Sequence, residues 1–92
     1  MGLTGQPFAA QRRRVPRFYF DVRDGESFTP DHEGLEFAST HDARVDASRA
    51  LAEMVKGAMP DGPRTAMAIE ARGENREPLV KVQIVFEVAP LA

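Results

Sequence analysis

The sequence predicts an α+β fold: a small β-β-α-β-β domain whose four-stranded, mainly antiparallel sheet carries one helix packed on one face. Three observations lead there. Two runs, one beginning at Arg17 and one ending near Val88, alternate apolar and polar residues as half-buried strands do. Between them, a stretch from about Ser39 to Met59 repeats its apolar residues at helical spacing. Glycine and proline clusters fall between these runs rather than inside them.

In the first strand, Phe18, Phe20 and Val22 point one way and Arg17, Tyr19, Asp21 and Arg23 the other. Asp24-Gly25 is a hairpin signal, because glycine supplies the positive φ that a tight turn requires. The return strand begins at Glu26, is interrupted by Pro30, turns again at Asp31-His32-Glu33-Gly34 and resumes at Leu35-Glu36-Phe37. In the helix, Ala43, Ala47, Ala50, Leu51, Met54, Val55 and Ala58 form one stripe, opposite Arg44, Asp46, Arg49, Glu53 and Lys56. Asp46 with Arg49, and Glu53 with Lys56, are spaced to pair across one turn. Ser39 followed by Asp42 reads as a capping box, and Pro60-Asp61-Gly62-Pro63 ends the helix. A third strand has Met67, Ile69 and Ala71 on one face and Ala66, Ala68, Glu70 and Arg72 on the other. After the polar connection Gly73–Pro78, a fourth strand puts Val80, Val82, Ile84, Phe86 and Val88 inward and Lys81, Gln83, Val85 and Glu87 outward. Two strand orders satisfy this pattern, 2-1-3-4, which is wholly antiparallel and slightly favoured, and 2-1-4-3, with a central parallel pair. The expected core is Phe18, Phe20, Val22, Leu35, Phe37, Ala47, Leu51, Met54, Val55, Met67, Ile69, Val82, Ile84 and Phe86.

Residues 1–15 lack periodicity and read as a disordered basic tail, leaving residues 16–92 as one domain. The chain has 92 residues and a net charge of −2, but its first sixteen residues hold three arginines and no acid, so the rest is distinctly acidic. An acidic body repels polyphosphate, which argues against a nucleic-acid-binding face on the folded part. The absence of cysteine removes disulfide and thiolate chemistry. No apolar run approaches the roughly 18 residues that span a bilayer, and no apolar segment follows the arginines as in a secretory signal. A cytoplasmic protein is expected, with no membrane role.

Val15-Pro16-Arg17-Phe18-Tyr19-Phe20-Asp21-Val22-Arg23-Asp24-Gly25, followed by Asp31-His32-Glu33-Gly34-Leu35-Glu36-Phe37, resembles a short uncharacterised family of α-proteobacterial proteins, a domain of unknown function. Its members open with Met-Pro-Arg and aromatics, then carry an Arg-Asp-Gly turn and an Asp-x-Glu-Gly-x-Glu segment. An alanine- and arginine-rich helix and a closing hairpin follow, so the likeness extends from Val15 to Leu91. The resemblance brings no catalytic residue. It does place a methionine where this chain has Val15, and a valine codon can start translation in bacteria. Residues 1–14 are therefore expected to be an upstream extension or a dispensable tail; an intact Met1 or Gly2 terminus on protein from the native host would contradict this.

Four kinds of site are weighed. Asp31, His32, Glu33 and Glu36, with His41 and Asp42 near in sequence, are the densest set of metal-ligating side chains, but their spacing matches no ligand motif. A polar turn that adds negative charge to the helix N-terminus explains them more simply. No glycine-rich phosphate loop, Walker lysine or nucleophile elbow is present, so neither a cofactor nor an enzyme is expected. Asp21 and Arg23 share a face and read as a surface ion pair rather than an acid–base pair. Arg12, Arg13 and Arg14 are the candidate nucleic-acid contacts, and Tyr19 is the one aromatic on the outer sheet face; a flipped register would instead expose Phe18 and Phe20. The favoured function is a protein-interaction or homodimerising module, because an open sheet leaves edge strands to be blocked or used. Tyr19, Val85, Lys81 and Gln83, with the edge of the fourth strand, are its candidate contacts.

Overall fold

A computed structural model describes residues 15–58 and 62–92. Its elements are β1 (Arg17–Asp24), β2 (Ser27–Thr29), β3 (Leu35–Glu36), α1 (Thr40–Lys56), β4 (Arg64–Arg72) and β5 (Pro78–Glu87). Every strand pairing is antiparallel. The sheet runs β2-β1-β4-β5, with β3 also on β1, so the wholly antiparallel order holds. The return strand is split in two, β2 and β3 both lying along the outer edge of β1. The tail, apart from Val15, lies outside the described residues.

Gly25, at φ 61°, opens a two-residue turn between Asp24 and Ser27. The pairing Phe20↔Ala71, Val22↔Ile69 and Asp24↔Met67 puts the alternate apolar residues of β1 and β4 on one face, and Met67↔Ile84 and Ile69↔Val82 carry that face onto β5. Phe18 is only 5% exposed, so the flipped register does not occur.

The helix packs over β4 and β5. Ser39 caps it, its Oγ accepting from the Asp42 N–H at 3.1 Å. Arg49 and Asp46 pair at 3.1 Å, whereas Glu53 and Lys56 do not. Ala47, Leu51, Met67 and Ile69 form the buried centre, surrounded by Phe20, Val22, Met54, Val55, Val82 and Ile84. Phe37 closes one end, stacking on Phe20 at 5.7 Å and meeting Phe18 edge-on at 6.0 Å.

Two expected core residues are exposed, while the others are buried or half-buried. Leu35 is 57% exposed because two-residue β3 is an outermost strand, away from the strands that α1 covers. Phe86 is 44% exposed near the end of β5, where it lines an open cleft of about 420 Å³ with Val55 and Ala58 at the C-terminal end of α1.

Candidate interaction surface

The outer face of the sheet holds a connected polar network. Asp21 lies mid-way along β1, with β4 on one side and the β2/β3 edge on the other, and is 2% exposed. A carboxylate removed from water needs donors on both oxygens. Arg72 Nε donates to its Oδ2 at 3.0 Å, the Asp31 N–H donates to Oδ1 at 2.9 Å, and Arg76 Nη2 stands 3.6 Å from Oδ1. Next to it, Glu70 accepts from Arg23 Nε at 2.6 Å and from Arg72 Nη2 at 3.0 Å. The expected Asp21–Arg23 pair is therefore replaced by cross-strand pairs. Asp21 lies opposite Glu70 in register, and Arg72 bridges the two carboxylates while Arg23 takes the second oxygen of Glu70.

Asp31 explains why the return strand is split. Between β2 and β3 the N–H of Phe20 has no strand partner, and the Asp31 carboxylate accepts from it at 2.9 Å. The same carboxylate accepts from the N–H groups of Glu33 and Gly34, both at 3.0 Å, closing a tight local turn. Arg76 secures this segment from the far hairpin. Its φ of 63° is left-handed, a conformation costing an ordinary side chain about 1–2 kcal/mol. From there Arg76 Nη1 donates to the Asp31 carbonyl at 3.0 Å, and its guanidinium lies 4.7 Å from the Tyr19 ring centroid.

These contacts take apart the metal-ligand set. Asp31 serves backbone amides, Glu36 pairs with Arg17 at 3.4 Å, and His41 Nδ1 meets Arg44 at 3.0 Å. Among the described residues no three His, Asp or Glu side chains are grouped to hold an ion. Nor does the loop cap α1; it lies against β1, and Ser39 provides the cap.

Gly34 is required twice over. It sits at φ 72°, and a Cβ there would stand 2.8 Å from the Phe18 carbonyl oxygen. Gly34→Ala is expected to cost at least about 2 kcal/mol, lowering the melting temperature by roughly 10 °C. Gly25→Ala, at φ 61° with open space around it, is expected to cost only about half as much. Equal losses in thermal melts would contradict the close approach.

The carboxylates also set an acid limit. Partial desolvation alone would raise the Asp31 pKa, but the Phe20, Gly34 and Glu33 amides and the Arg76 charge outweigh it and hold the group below its ordinary value. The Arg23 hydrogen bond, aided by Arg72, lowers Glu70 likewise. A depressed folded pKa contributes stability above the unfolded value that is lost as pH falls through the folded value. With unfolded values near 3.8 and 4.5, stability should fall steeply below about pH 4.5. Asp31→Asn is expected to flatten that acid slope in denaturant melts between pH 6 and 3, and an unchanged slope would contradict the assignment.

Three of the four expected contact residues lie together. Lys81, Gln83 and Val85 occupy successive outward positions on β5, whereas Tyr19 is on β1 with β4 between, beneath Arg76. The Val88 N–H donates to the Pro63 carbonyl at 2.7 Å. By the alternation of an antiparallel ladder, even-numbered β5 residues turn their amides to β4. Lys81, Gln83, Val85 and Glu87 therefore present theirs at the open edge; the register shift at Ala71/Arg72 ends the alternation before Leu79. Pro78 begins the strand, and no other proline interrupts its ten residues. Lys81 enters no ion pair among the described residues, and Glu87 has a single long one, 4.0 Å from Arg64. Val85, Phe86 and Val88 are all exposed. Arg12, Arg13 and Arg14 lie outside the described residues.

Residues 17–85, from β1 through most of β5, match a family described as Domain of unknown function (DUF6894). The chain belongs to this family. No curated protein and no solved structure matches it. No described helix of this DUF6894 domain is long and apolar enough to cross a membrane.

The sequence missed how the outer face of the DUF6894 domain is wired. Sequence spacing pairs Asp21 with Arg23, leaves Glu70 and Arg72 on that face without named partners, and puts Arg76 in a polar connection. The usable signal was an acid amid the aromatics of a strand expected to lie inside the sheet, with an Asn-Arg turn where Asn-Gly is usual.

Proposed function

We propose that this domain is a small, non-catalytic module that acts by binding protein along the open edge of β5. The observation that carries this is a ten-residue strand whose amides at Lys81, Gln83, Val85 and Glu87 face no partner among the described residues and whose exposed side chains include Val85 and Phe86. A bare edge of this length promotes aggregation unless it is covered. The outer face supports a non-catalytic role, because Asp21 and Asp31 have their oxygens engaged by arginines and amides and hold none ready as a base. We place the protein in the bacterial cytoplasm, from the resemblance described above and its cysteine-free chain; recovery in periplasmic or membrane fractions of its host would contradict that.

Gln83→Pro tests the edge. It removes an outward amide while sparing the ladder to β4, so the monomer fold should survive, as checked by circular dichroism. The variant should lose whatever assembly or captured protein the full-length chain shows. Equal mass and equal capture by the two chains would overturn the reading.

A further inference from the structure

The geometry points to a second copy of this chain as the partner, the two β5 strands pairing antiparallel about a two-fold axis at Ile84. This rests on the edge-binding function proposed above and adds to it the partner and the register.

Antiparallel strands place directly opposed side chains on the same face, so β5 against itself pairs even residues with even and odd with odd. A two-fold axis at Ile84 sets Lys81 against Glu87 of the other copy, twice, and Gln83 against Val85 on the same outer face. Lys81 is without an ion pair among the described residues, and Glu87 has only the long contact to Arg64. On the inner face, Val82 meets Phe86 and Val80 meets Val88, covering two of the exposed apolar side chains. Centring on Gln83 sets Lys81 against Val85, and centring on Val85 sets it against Ala89; neither joins opposite charges. A shift by a single residue would put apolar against polar faces. Charge complementarity thus selects one register.

The backbone agrees. Outward amides belong to the odd residues, so Lys81–Glu87 and Gln83–Val85 become hydrogen-bonded pairs and Ile84–Ile84 a non-hydrogen-bonded one. The result is a continuous sheet through both copies with both helices on one side, and it is isologous, as closed dimers are.

Charge reversal tests this on the full-length chain, with mass read by light scattering across a dilution series. The wild type is expected to form a dimer. Lys81→Glu or Glu87→Lys alone puts like charges opposite each other twice and should weaken it about tenfold or more, while the double variant restores it. The engineered chain Ile84→Cys, with no native cysteine to compete, should oxidise to a covalent dimer, since Cα atoms in such a pair stand about 4.5 Å apart. A dimer abolished by Gln83→Pro but indifferent to charge reversal would overturn the register and leave the edge intact. A dimer indifferent to both would overturn the edge as well. A monomer at every concentration would overturn self-pairing, while capture of another protein lost on Gln83→Pro would still uphold the edge function.

Discussion

Leu51→Asp abolishes the cooperative thermal transition of this domain. Leu51 is 2% exposed at the centre of the helix stripe, among Ala47, Met67 and Ile69. The substitution removes the apolar contacts of a buried leucine, whose truncation alone typically costs 2–5 kcal/mol. It also buries a carboxylate without a donor, at a further cost of several kcal/mol. A small domain has only about 5–15 kcal/mol in reserve, with one of this size near the lower end. Calorimetry or circular dichroism should show a chain unfolded at room temperature. A soluble variant with a sharp transition would mean that α1 presents another face to the sheet.

Asp21→Ala should be the most damaging change on the opposite face. It leaves Arg72, the Asp31 amide and Arg76 without their shared acceptor. Removing one partner of a buried ion pair costs about 3–5 kcal/mol, and the lower end applies because Arg72 keeps some access to water. The melting temperature should fall by roughly 10 °C or more. Asp21→Asn retains an acceptor and should fall in between. A loss below about 1 kcal/mol would show that the network is ornamental to stability.

These two residues mark what the sequence disclosed and what it did not. Leu51 was legible because its helix writes its burial into local periodicity, and the alternation at Phe18, Phe20 and Val22 fixed the face of β1 in the same way. The wholly antiparallel order was only favoured, since hydrophobic pattern says which face of a strand is covered but not which strand stands beside it. Leu35 and Phe86 show the same limit, each apolar at the right spacing yet lying where the single helix does not reach. Asp21 was invisible for a different reason. Its burial depends on Asp31 and Arg76, ten and fifty-five residues away, folding over it, and no local pattern encodes such a meeting. The candidate edge was half legible: Lys81, Gln83 and Val85 followed from alternation, but the direction of their amides required the bond from Val88 to Pro63.

Amide hydrogen exchange along β5 tests the central claim most directly. At concentrations where the chain self-associates, the N–H groups of Lys81, Gln83, Val85 and Glu87 should become protected, and dilution should release them while the even-numbered amides stay protected by β4. Outward amides that exchange as fast as free ones at every concentration, while Val82 and Ile84 remain protected, would contradict it.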